Sequence, residues 1–264
     1  MTAPRESHVI PRVSAPRPYG PISLSLRVSL AFGLFAVTGF SLVPLLLLLL
    51  PWRPTCISLV VRYANLVALP ILALLGIRIE GASRARLAAE APAIFVINHT
   101  SALDTLLSLA LLPPGTVGVV KREGLALPVF GQVYWLGGHL LIDRSNRERA
   151  HASMDQLARD VKRWGLSPWL GPEGTRSSDG RLGPFKKGFA HLALATGLPV
   201  VPLVLHDAHA LWPLRTFQIA PGTVRIDVLP TIQTTGWRPE TLTENVESVR
   251  QAMAEALAPH QRPA

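Results

Sequence analysis

Two short clusters carry the residue types and spacings that can do chemistry: Asn98-His99 with Asp104 five positions past the histidine, and Glu173-Gly174-Thr175-Arg176 further on. A histidine beside a carboxylate is a general-base pair. The carboxylate fixes the proton on one ring nitrogen and leaves the other free to accept one. On a continuous helix a spacing of five puts two side chains about 140° apart, too far round to meet. His99 must therefore precede the helix that carries Asp104. The neighbouring residues agree: 93–97 read as a buried strand, followed by a polar turn and a helix over 102–112. Ser101 is expected at the N-cap and Asp104 at the third helical position, turned back toward the ring.

The second cluster follows a short strand at Trp169-Leu170. Its glycine allows close backbone approach, and Arg176 has the planar fork that grips a phosphate through two nitrogens. Lys121, after a strand at 116–120, and Arg144, after a strand at 140–142, are further cations available to the same anion. The alternatives are a Glu173–Arg176 pair across the turn and solvated charges at Lys121 and Arg144. If the base activates a hydroxyl against a carbonyl, the tetrahedral oxyanion needs donors, which backbone amides near Gly174 or a basic side chain would supply. There is no Gly-x-Ser-x-Gly elbow, and the single cysteine, Cys56, lies in an apolar stretch, so a covalent intermediate has no nucleophile. Direct transfer to a substrate hydroxyl is the simpler chemistry. His206-x-x-His209 with Asp207 lacks a second ligand cluster, so no metal is expected. His139 and His191 read as core or pocket-edge residues.

The elements that must hold these residues alternate between strand and helix past residue 77, the pattern of an α/β fold with a mainly parallel mixed sheet flanked by helices. Further strands are expected at 200–205 and 223–228. Helices are expected at 125–136, 147–164 (ended by Gly165), 189–196 and 241–257. Ahead of this region, residues 28–50 carry no charge and are long enough to cross a hydrocarbon core; a shorter apolar run covers 63–77. Together they predict an N-terminal membrane-embedded helical hairpin, with a kink at Pro44. Arginines flank both ends of the first run, so the positive-inside rule leaves open whether the hairpin spans the bilayer or dips into one leaflet. Three segments result: a disordered basic arm over 1–22, membrane-associated helices over 23–77 and a catalytic domain over 78–260. The net charge of +9, with only 16% charged residues, favours an anionic partner. Nucleic-acid signatures are absent, so that partner is expected to be membrane lipid headgroups and not nucleic acid.

Four blocks in order resemble the glycerolipid acyltransferase family, in particular its 1-acylglycerol-3-phosphate (lysophosphatidic acid) acyltransferases. They are Asn98-His99-Thr100-Ser101-Ala102-Leu103-Asp104, Gly138-His139-Leu140-Leu141-Ile142-Asp143-Arg144, Gly171-Pro172-Glu173-Gly174-Thr175-Arg176-Ser177, and Leu198-Pro199-Val200-Val201-Pro202-Leu203. The resemblance implies that His99 and Asp104 are catalytic and that acyl-CoA or acyl carrier protein donates a fatty acyl chain to lysophosphatidic acid, with no cofactor. It assigns Glu173, Gly174, Thr175 and Arg176 to the phosphate-bearing acceptor, and Arg144 and Lys121, by their placement after strands, would join them. The expected location is the inner membrane, with the catalytic domain on its cytoplasmic side. The alternatives are acylation of another lysolipid, such as a lyso-ornithine lipid, and a non-catalytic lipid-binding protein. The third block departs from the family in carrying Gly171 where an aromatic residue is usual.

Overall fold

A computed structural model describes residues 17–143 and 147–263. Two long helices come first, α1 (Pro21–Leu48) and α2 (Arg53–Leu74). There follow β1 (Ile77–Gly81), α3 (Arg84–Glu90), β2 (Ile94–Ile97), α4 (Leu103–Leu111), β3 (Thr116–Lys121), α5 (Phe130–Leu136) and β4 (Leu140–Ile142). The chain continues through α6 (Arg147–Trp164), β5 (Ser167–Leu170), α7 (Gly188–Thr196), β6 (Val200–Leu205), α8 (Ala208–Leu211), β7 (Gly222–Val228) and α9 (Leu242–Ala256). The strands form one seven-stranded sheet in the order β1-β7-β6-β2-β5-β3-β4. Every neighbouring pair is parallel except β6 with β7. The central strands β2, β5 and β6 are buried throughout, as continuous apolar runs between two helical layers should be.

Several expectations are corrected here. The second apolar helix starts at Arg53, ten residues before the expected run, because Arg53 and Arg62 depress the local hydropathy without breaking the helix. The first begins at Pro21, inside the segment read as an arm, and Pro21 at the first helical position needs no backbone N–H. The part of that arm covering residues 1–16 lies outside the described residues, while Tyr19 N–H donates to the Ile219 carbonyl at 3.0 Å. Strand β1 and helix α3 were not anticipated. Among the described residues β1 pairs with β7 alone and is mostly exposed, so its alternating Ile-Arg-Ile-Glu pattern has little apolar signal.

α1 and α2 are long and apolar enough to cross a membrane by length and composition. They pack against each other, and Tyr63 Oη donates to the Phe35 carbonyl at 3.0 Å. The Arg27 guanidinium donates to the Leu74 carbonyl, tying the start of α1 to the end of α2, and lies over the Tyr19 ring at 4.3 Å. α2 is not an appendage. Val61, Ala64, Val67, Ala68, Ile71 and Leu72 are buried in the same core as Phe95, Leu103, Leu107 and Val201. Asn65, buried among them, donates to the Leu109 carbonyl at 2.8 Å and accepts from Arg84 at 2.9 Å. The helices over 23–77 and the sheet domain therefore share one hydrophobic core.

Candidate active site

Sheet register brings the clusters together. β2 runs parallel to β5 with Val96 opposite Leu170, so the loops leaving their carboxyl ends, His99 onward and Gly171 onward, emerge side by side. This is where open α/β sheets present ligand sites. Asn98 seals the third strand of the group: its side chain donates to the Leu205 carbonyl at 3.0 Å and accepts from Leu205 N–H at 2.7 Å.

Asp104 is fully buried and meets His99 as expected, Oδ2 lying 2.8 Å from Nδ1. The same oxygen accepts the backbone N–H groups of Thr100 at 2.7 Å and Ser101 at 2.8 Å. Helix α4 starts at Leu103, one residue later than expected, so Asp104 stands at its second position. Ser101 lies before the cap: its hydroxyl accepts from Leu103 N–H at 3.1 Å and donates to the Trp212 carbonyl at 2.8 Å. An acidic residue in a first turn is also favoured by the helix dipole.

The Glu173–Ser177 segment wraps the base, which the sequence did not reveal. Glu173 Oε1 accepts His99 N–H at 2.9 Å, and Ser177 N–H donates to the His99 carbonyl at 2.9 Å. Glu173 is buried, and this desolvation raises its pKa to about 7, even though the His99 and Gly183 N–H groups favour its charged form. One of its oxygens is thus engaged by the His99 main chain, a contact the assignment of Glu173 to the acceptor did not include. Glu173 does not pair with Arg176. Arg176 Nε–H donates to His99 Nε2 at 3.2 Å, and its Nη2 donates to Thr105 Oγ1 at 3.2 Å. A guanidinium has no acceptor, so Nε2 must offer a lone pair and Nδ1 carries the proton toward Asp104. The imidazole is in the tautomer a general base requires.

Gly174 turns through φ +74°, and its N–H is committed to the Gly171 carbonyl at 3.1 Å, which removes that amide as an oxyanion donor. Thr175 is exposed beside it. Gly171 lies against the base: a Cβ added there would stand 3.5 Å from His99 Cβ, so any larger residue would take space next to the imidazole. Lys121 ends β3 at the same carboxyl edge of the sheet, exposed and 2.8 Å from Glu123, a surface pairing of little energy. Arg144 lies outside the described residues. The histidines at 206 and 209 go to separate partners, Asp227 at 2.9 Å and the Thr100 carbonyl at 3.0 Å; Asp207 meets His260 at 2.7 Å. His209 therefore buttresses the turn between His99 and Asp104. His191 is exposed, against expectation.

Beside His99 opens a cavity of about 540 Å³ with an almost wholly apolar lining. Its walls come from α1 (Phe32, Phe35), α2 (Ala64, Val67), α4 (Leu109) and α5 (Val133). His139 forms part of the wall. Its Nδ1 accepts Gly118 N–H at 3.0 Å, and burial, helped by the positive charge of Arg53, lowers its pKa to about 3, so it is neutral. A histidine–carboxylate pair at the edge of an apolar cavity is an arrangement suited to acyl chemistry.

Fold and site together are those of an acyl-transferring enzyme, and a family model described as Acyltransferase matches residues 77–206. A 1-acyl-sn-glycerol-3-phosphate acyltransferase from Limnanthes alba is 36% identical over 239 residues, covering 90% of this chain and 84% of that protein. The enzyme of the same name from Escherichia coli (strain K12) is 33% identical over 185 residues, covering 70% of this chain and 75% of that protein. The crystal structure of the 1-acyl-sn-glycerophosphate (LPA) acyltransferase PlsC from Thermotoga maritima matches the fold, with a TM-score of 0.64 at 22% identity over 88% of this chain and 97% of that one. The chain belongs to the 1-acyl-sn-glycerol-3-phosphate acyltransferase family.

Proposed function

We propose that this enzyme transfers a fatty acyl chain from an acyl thioester, acyl-CoA or acyl carrier protein, to the sn-2 hydroxyl of lysophosphatidic acid, giving phosphatidic acid without a cofactor. The observation that carries the reading is His99, proton-accepting nitrogen outward and backed by a buried carboxylate, at the edge of an apolar cavity and in contact with Arg176. The relatives' names supply the acceptor. In the reaction, His99 Nε2 takes the hydroxyl proton as the oxygen attacks the thioester carbonyl, and Asp104 stabilises the imidazolium. The carbon–sulfur bond then breaks, and the imidazolium returns its proton to the departing thiolate. The cavity receives the hydrocarbon chain and Arg176 takes the acceptor phosphate, with Lys121 and, by its place in the sequence, Arg144 as further cations for it.

α1 and α2 carry Leu30, Phe40, Leu48 and Leu66 exposed on their outer surface, an arrangement suited to lipid. In this reading the pair embeds in the inner membrane and holds the catalytic domain on the cytoplasmic side. The test is a purified full-length enzyme given one radiolabelled acyl-CoA and a panel of lysolipids. Labelled phosphatidic acid from lysophosphatidic acid, at a rate at least about tenfold above that with lysophosphatidylcholine or a lyso-ornithine lipid, is the expected result. Equal rates across the panel would refute the acceptor assignment.

A further inference from the structure

Arg176 occupies the lone pair on which the reaction depends. With Nδ1 turned to Asp104, Nε2 is the single ring position from which His99 can accept a proton, and Arg176 Nε–H points at it from 3.2 Å. A guanidinium does not surrender its proton and has no lone pair to relay one. While it stays there, neither water nor a hydroxyl can take its place. The backbone on either side of Arg176 is fixed, since Glu173 and Ser177 both bond to the His99 main chain. Among the described residues its side chain is held by two neutral acceptors, His99 Nε2 and Thr105 Oγ1. A phosphate offers paired, charged oxygens that match the guanidinium fork, and such charge-assisted bonds are roughly twice as strong as neutral ones.

We infer that Arg176 is a guard on the catalytic base: it covers His99 Nε2 in the empty site and is drawn off by the acceptor's phosphate, so that the base is uncovered only when an acceptor is bound. The inference rests on the reading of Arg176 as a phosphate ligand. The guard prevents a wasteful reaction. An uncovered His99 beside a bound thioester would take a proton from water as the water oxygen attacks the carbonyl. The carbon–sulfur bond would break, the proton would pass to the thiolate, and the products would be free fatty acid and thiol. Covering Nε2 withholds the base from water until the competing hydroxyl is in place.

The test uses purified full-length enzyme in detergent. Diethylpyrocarbonate acylates the free imidazole lone pair, and mass spectrometry of the His99 peptide, with that of exposed His151 as reference, reports how often Nε2 is uncovered. His99 should react roughly tenfold faster in Arg176→Met and Arg176→Ala than in wild type, the factor expected for losing a hydrogen bond from a charged donor. Inorganic phosphate should accelerate the wild-type reaction in a saturable way, chloride at equal ionic strength should not, and neither should affect the variants. Acyl-CoA hydrolysis without any acceptor should rise in parallel and return to background in His99→Ala/Arg176→Met, while transfer to a lysolipid falls. Equal His99 reactivity in wild type and a folded Arg176→Met overturns the guard; a wild type indifferent to phosphate overturns its release. The His99-reactivity and hydrolysis readouts use no lysolipid, so failure of the acceptor assignment would register in the lysolipid measurements alone.

Discussion

Asp104→Asn isolates the electrostatic part of the base. Asparagine matches the shape of aspartate, and its oxygen can still accept from the three donors that Oδ2 now serves at 2.7–2.8 Å. The turn and the ring orientation are therefore retained, and what disappears is the negative charge facing the imidazolium as the proton arrives. Two unit charges about 4 Å apart interact by about 4 kcal/mol at the effective dielectric suited to a protein site. With about 1.36 kcal/mol per decade of rate, complete loss corresponds to about 10³. The His99 ring is partly open to solvent, which lowers the figure, so a fall in kcat of about 10²–10³ is expected with acceptor KM changed by less than about threefold. The assay is thiol release from an acyl-CoA with saturating lysophosphatidic acid, together with circular dichroism to verify folding. Because Asp104 acts through His99, the His99→Ala/Asp104→Asn double variant should be no slower than His99→Ala by more than about threefold. A folded Asp104→Asn enzyme within tenfold of wild type, or a double variant showing the product of the two single losses, would refute the assignment.

Two further outcomes follow from burial. Glu173 has its pKa raised to about 7 from 4.5, so its contribution to stability is fully present below pH 4.5 and is lost as pH rises through 7, by up to about 3 kcal/mol. Glu173→Gln keeps an acceptor for His99 N–H without the ionisation. Its melting midpoint should match wild type near pH 5 and exceed it near pH 8 by about 6–10 °C; an unchanged difference between the two pH values would remove the buried-carboxylate account. Deleting residues 1–76 removes Val61, Val67, Ile71 and Leu72 from the core, about 1.5–3 kcal/mol each, a total comparable with the whole stability of a domain. The truncated chain should fail to give a cooperative melting transition or protease-resistant fragment even in detergent, and a cooperatively folded fragment would show that the core is separable from the helices.

The legible parts of the sequence were those whose physical cause is local. His99 and Asp104 lie five residues apart on one turn, and their pairing followed from helix geometry alone. Strands β4 and β6 and helix α6 stand where apolar runs or periodicity placed them, because each is bounded by punctuating residues such as Gly165. The role of Glu173 was not legible, since the reason for burying that carboxylate is a backbone N–H 74 positions away, brought near by the register of β2 on β5. The contacts of Thr105, Ser177 and His209 were hidden for the same reason: each is made with a partner distant in sequence. The true start of α2 was hidden by two arginines that a hydropathy reading counts as interruptions. Arg53 in fact reaches the Leu136 carbonyl, at 3.3 Å.

Since α2 is at once an outer helix and a wall of the core and cavity, anyone wishing to handle this enzyme in plain buffer has to recolour its exterior. Cutting at the apparent domain boundary would take away part of the wall of the apolar cavity along with the greasy surface. Leu26, Leu30, Val37, Phe40, Leu47, Leu48 and Leu66 face outward, whereas Ala64, Val67 and Ala68 face in. Polar replacements confined to the outward set leave the inner face untouched, so solubility and shape of the hydrocarbon space can be engineered as separate variables on a single pair of helices.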